Sequence, residues 1–142
     1  MKTEAILGAV YTALTDDAGV SAFFVSVGVE HPQDTDAADM SVFPYCTINA
    51  STSAPFDDKG TTGESVSIQV TPWGRGTTSK SATAQIAEAA DLIYTALNRA
   101  TLTATGTNII NCLYDSSPGI IDDPDGFTKY RPMMFRITYQ LT

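Results

Sequence analysis

Apolar residues return every three or four positions in two stretches of this chain and every second position in three others. Ile6, Leu7, Val10 and Leu14 fall on one face of a helix over residues 3–15. Asp16-Asp17-Ala18-Gly19 is expected to end that helix in a glycine-marked turn. A second helix is predicted over about 82–99, with Ile86, Ala89, Ala90, Ile93 and Leu97 as its stripe and Leu92 on the flank. At about 1.5 Å per residue it spans roughly 27 Å, enough to cross a four-stranded sheet.

The three alternating stretches, and one further segment over 108–114, read as strands. Pro44 opens one over 44–50, and in 64–73 Val66, Ile68 and Val70 alternate with Ser65, Ser67, Gln69 and Thr71. Residues 108–114 form a third. Met133, Phe135, Ile137, Tyr139 and Leu141 make the inward face of a fourth. Long polar connections are expected at about 29–42, 51–63 and 115–131, the last carrying the turn signals Pro118-Gly119, Asp122-Asp123-Pro124 and Asp125-Gly126. The order α-β-β-α-β-β predicts an α+β fold, an antiparallel four-stranded sheet with two helices packed on one face, as a single domain over 1–142.

Such a sheet leaves its other face to solvent or to a partner. The residues assigned there are Tyr45, Thr47, Asn49, Ser65, Ser67, Gln69, Thr71, Arg136, Thr138 and Gln140, of which only Arg136 is charged. Ser and Thr suit strands in any setting. A wet sheet, however, usually carries Lys and Glu against edge-to-edge pairing, so the thin charge also fits a surface for another subunit.

Composition narrows the function classes. Of 142 residues, 43% are hydrophobic and 17% charged, which suits one globular domain rather than a disordered chain. Sixteen acidic residues against eight basic give a formal charge of −8, which disfavours gripping nucleic acid or an anionic membrane. The first residues lack the build of a signal peptide, and no apolar run approaches a membrane span. Cys46 and Cys112 sit in apolar stretches and read as buried reduced thiols, pointing to synthesis in a cytoplasm.

Residues for catalytic chemistry are sparse. His31 is the single histidine, precedes Pro32 in an acidic loop, and has no nucleophile motif to serve. One histidine and two separated cysteines do not make a zinc site. Asp122-Asp123-Pro124-Asp125-Gly126 lacks the spacing and closing Glu of a calcium loop, and turn chemistry accounts for it. Gly60-Thr61-Thr62-Gly63 lacks the Lys of a phosphate loop, and Gly74-Arg75-Gly76 is one basic residue between glycines. Trp73 at a strand end reads as an anchor for the fold. No enzyme activity, cofactor or metal is expected.

The motifs in their order carry a resemblance. A short N-terminal helix precedes Phe43-Pro44-Tyr45-Cys46-Thr47-Ile48. Ser67-Ile68-Gln69-Val70-Thr71-Pro72-Trp73 follows, then an Ala-rich helix at 82–98, Gly126-Phe127, and Met134-Phe135-Arg136-Ile137-Thr138-Tyr139. This sequence is similar to the tail terminator, or tail completion, proteins of long-tailed siphophages and of phage-derived gene transfer agents. The resemblance implies a virion structural protein forming a six-membered ring that caps the tail tube and ends its polymerisation. Its implied partners are further copies of itself, the major tail tube protein and a head connector or stopper, with no membrane. DNA would pass through the lumen without specific binding, and the excess acidity would keep it from sticking. The implied location is the head–tail junction, after synthesis in the bacterial host's cytoplasm. Alternatives are a tail tube or head–tail adaptor subunit, or a small ligand-binding domain.

Interface candidates follow from apolar residues in otherwise polar loops. They are Phe56, Asp57, Asp58 and Lys59 in the 51–63 loop, Ile120, Ile121, Phe127, Tyr130 and Arg131 in the 115–131 arm, and Arg136 on the sheet.

Overall fold

The computed structural model describes residues 2–29, 42–55, 57 and 59–142. The described helices are α1 (Thr3–Asp16), α2 (Ala18–Phe23) and α3 (Ala82–Leu97). The strands are β1 (Ser26–Gly28), β2 (Tyr45–Pro55), β3 (Gly63–Gly74), β4 (Thr107–Ser116), β5 (Ile121–Asp122), β6 (Lys129–Tyr130) and β7 (Met133–Leu141). They form one seven-stranded mixed sheet. Its main path is β1-β2-β3-β7-β4, with β1 parallel to β2 and the other pairs antiparallel. At the end of β3, where β7 has not yet begun, β6 pairs with Trp73 and Gly74, and β5 lies beyond β6.

This architecture corrects the expected four-stranded antiparallel sheet with two helices in the order α-β-β-α-β-β. The first extra element is α2. Asp17 does not close a turn there; its carboxylate accepts the Val20 N–H at 3.0 Å and caps a new helix. Gly19 lies inside that helix, and a Cβ on it would stand 3.1 Å from Leu92 Cδ2, so the glycine permits close approach to α3. The second is β1, whose three residues are too few for alternation to reveal. The third is the β5–β6 hairpin, two residues per strand, inside the segment expected to be an irregular arm. The 51–63 connection is also shorter than expected: β2 runs on to Pro55 through an irregularity between Ala50 and Thr52.

The core lies between the helices and one sheet face. Ile6, Val10 and Leu14 of α1 and Ala89, Ala90, Ile93 and Leu97 of α3 meet Ile48, Ile68, Val70, Phe135 and Ile137. Cys46 and Cys112 are buried, free thiols within the same core, and burial raises both; Cys112 is pushed up to about 12. Tyr139 closes one end, its buried hydroxyl donating to Glu64 Oε1 at 2.9 Å and accepting from the Lys2 N–H at 3.2 Å. No helix among the described residues is long and apolar enough to cross a membrane.

Candidate interaction surfaces

The β5–β6 hairpin and its turn form the first surface. Asp125 organises the turn: Oδ1 accepts the N–H groups of Phe127 at 2.7 Å and Thr128 at 2.8 Å, and Oδ2 accepts the Thr128 hydroxyl at 2.6 Å. Backbone bonds from Asp123 N–H to Thr128 and from Gly126 N–H to Asp123 close it further. Arg75 supports it from behind, donating Nε to Thr128 Oγ1 at 2.9 Å and pairing with Asp125 at 3.3 Å. The Arg75 side chain is only 4% exposed, and its guanidinium lies over the Phe43 ring at 4.4 Å. Burial works to raise the Asp125 carboxyl, but the hydrogen bonds from Thr128 and Phe127 and the Arg75 charge outweigh it and hold it at about 2. What this scaffold presents is Phe127, 62% exposed.

An aromatic row ties the hairpin to the sheet. Trp73 stacks on Tyr130 at 4.3 Å and on Tyr45 at 6.0 Å, and its indole N–H donates to Thr47 Oγ1 at 3.1 Å. A cavity of about 220 Å³ lies between Phe43, Tyr45, Trp73, Arg75, Asp123 and Asp125. Tyr45 is pushed up to about 12, first by burial and then by the Asp123 charge. The sheet face opposite the helices is therefore divided. Tyr45, Thr47, Thr71 and Thr138 are buried, whereas Asn49 and Arg136 are exposed.

The second surface is the β4 edge. Arg99, just beyond α3, has φ 63° and donates its N–H to the Cys112 carbonyl at 2.8 Å. Asn98 Oδ1 accepts the Tyr114 N–H at 3.0 Å. Two outward backbone groups of the edge strand are thereby satisfied within the chain, which blunts the edge against pairing with another strand. Beside this plug is a cavity of about 270 Å³ lined by Arg99, Ala100, Leu102, Ile109, Ile110 and Leu113. Ile110 and Leu113 are 48% and 36% exposed.

The sequence-derived candidates fall unevenly on these surfaces. Phe56, Asp58 and His31 lie outside the described residues. Asp57 accepts the Gly63 N–H at 3.2 Å, a turn-closing bond, and Lys59 is exposed in the same turn. Ile120 is exposed, while Ile121 is half-buried opposite Tyr130. Arg131 donates Nε to Ser117 at 3.1 Å, and Arg136 pairs with Asp115 at 3.3 Å in solvent. Sequence reading passed over Arg75, Asp125, Arg99, Ile110 and Leu113. A signal for Arg75 was present in its glycine neighbours. A Cβ at Gly74 would stand 2.2 Å from Gln85 Oε1, and Gly76 has φ +80° with backbone 2.7 Å from its Cβ position, so the segment is pressed against the start of α3.

Comparison with known families places the chain. The family model described as Tail completion protein gp17 matches residues 8–140. The chain belongs to the tail completion protein gp17 family. It is accordingly a structural component of a phage-type tail, in keeping with the resemblance its motifs carried. Among solved structures, a chain from "Virion of native gene transfer agent (GTA) particle" superposes with a TM-score of 0.79 at 17% identity, covering 96% of both chains. That likeness shows the fold shared by a gp17-family member and a virion subunit. No curated protein matches the chain.

Proposed function

We propose that this gp17-family chain assembles as a ring on the end of the tail tube, stops tube polymerisation there and offers its outer face to the head connector. Membership of a tail completion family is the observation that carries the reading. Two surfaces with exposed apolar residues, Phe127 on its hydrogen-bonded turn and Ile110 and Leu113 at the β4 edge, suit a multi-subunit ring. They lie on different parts of one chain, so the contact between neighbours would be heterologous, the kind that closes rings. Lys59, Ile120, Tyr130, Arg131 and Arg136 are the remaining candidates for contact with the tube protein or the connector. The formal charge of −8 suits a lumen through which DNA slides without adhering.

Electron microscopy of the purified protein tests the proposal. Single rings that do not stack are expected. Stacked rings growing into tubes would favour a tube subunit instead, and a monomer at every concentration, on tails as well as free, would reject the ring.

A further inference from the structure

We infer that Phe127 of one copy seats in the β4-edge cavity of the next copy, with Asp123 of the first opposite Arg99 of the second. The inference rests on the ring reading and specifies its subunit contact.

Four observations carry it. First, Phe127 is exposed on a backbone that is hydrogen-bonded in place. The Asp125 bonds to the Phe127 and Thr128 N–H groups fix the backbone, and buried Arg75 fixes Asp125. An aromatic residue whose backbone is ordered before binding loses less freedom on contact, which is how interface anchors gain their effect. Second, Arg99 and Asn98 occupy the outward backbone groups of Cys112 and Tyr114, which favours insertion of a side chain over strand pairing at that part of the β4 edge. The cavity of about 270 Å³ beside the plug is of mixed character, with Leu102, Ile109, Ile110 and Leu113 beside Arg99, Thr101 and Asn111, and has room for one aromatic ring.

Third, the charges correspond. Among the described residues, Asp123 and Arg99 are in none of the ion pairs, whereas Asp115, Asp122 and Asp125 are each paired. The anchor thus carries a carboxylate that accepts the Asp125 N–H at 3.3 Å but is in no ion pair among the described residues, and the cavity carries a guanidinium that is likewise in none. Fourth, a chain cannot fill its own cavity. The hairpin is registered at Trp73↔Tyr130 and the cavity at Cys112↔Ile137, and the seven residues from Tyr130 to Ile137 span roughly 20 Å at about 3.3 Å each. With the chain's own Phe127 out of reach and an acid beside the anchor facing a base at the cavity, the occupant assigned is a second copy.

The test is native mass spectrometry of the full chain across a concentration series, with melting curves to confirm the fold. The forms are wild type, Phe127→Ser, Arg99→Asp, Asp123→Arg and the double variant Arg99→Asp/Asp123→Arg. Aspartate is chosen at 99 because it tolerates positive φ. Phe127→Ser and each charge reversal should raise the concentration needed for assembly roughly tenfold or more, and the double variant should return it towards wild type. Assembly untouched by Phe127→Ser overturns the inference and leaves the ring reading standing. Weakening by both single reversals without rescue in the double variant overturns the pairing of these surfaces and directs Phe127 to another tail protein. A wild-type chain that never assembles removes the ring reading itself.

Discussion

Arg75 and Asp125 form an ion pair, Nη2 to Oδ2 at 3.3 Å, that joins the end of β3 to a turn fifty residues further along the chain. The arginine is buried and the carboxylate keeps some access to water. This contact and the bonds Asp125 makes beside it act with the backbone bonds of Asp123 to hold Phe127 outward.

Replacing Arg75 with Met should therefore destabilise the protein by about 2–3 kcal/mol. That is at or below the ~3–5 kcal/mol of breaking a fully buried pair, because Asp125 can still be hydrated. Urea denaturation checks it, and a change within about 0.5 kcal/mol would show the pair to be idle.

The pH response of the turn follows from Asp125. Its folded-state pKa, about 2, lies below the ordinary value of 3.8, so its contribution to stability is complete above about pH 4 and is lost as pH falls towards 2. Asp125→Asn should remove that part of the acid dependence. Hydrogen exchange of the Phe127 and Thr128 amides, followed from pH 5 to pH 2.5, would show it. Equal pH profiles in wild type and variant would contradict it.

Gly19 packs α2 against α3. Gly19→Val should cost about 1–3 kcal/mol through overpacking against Leu92, whose Cδ2 stands 3.1 Å from the added Cβ. Thermal melting measures it, and an unchanged or raised Tm would show that Leu92 yields freely.

The β4 plug should also protect against aggregation. Asn98→Ala removes the acceptor of the Tyr114 N–H and should cost about 1 kcal/mol while opening the edge to strand pairing. Faster thioflavin-positive aggregation than wild type on mild heating is the expected readout.

The sequence made the long elements legible because their periodicity runs over many residues: the stripe Ile86, Ala89, Ala90, Ile93, Leu97 is buried as expected, and so are Val66, Ile68 and Val70. Short elements escaped for the same reason. Gly19 signals a turn by local rules, yet its role is set by Leu92, far away in sequence. The two-residue strand β6 pairs with β3 where Tyr130 stacks on Trp73, a contact no local pattern encodes. At the candidate surfaces, Phe127 stood out as an apolar residue in a polar turn. Arg75 did not, since its partners Asp125, Thr128 and Phe43 come from distant segments.

The length of tails assembled with and without this chain tests the central claim most directly. If the chain caps the tube, particles lacking it should carry tubes that overrun the normal length and fail to join heads, and supplying the protein should restore both. Tails of unchanged, uniform length that join heads normally in its absence would contradict the account.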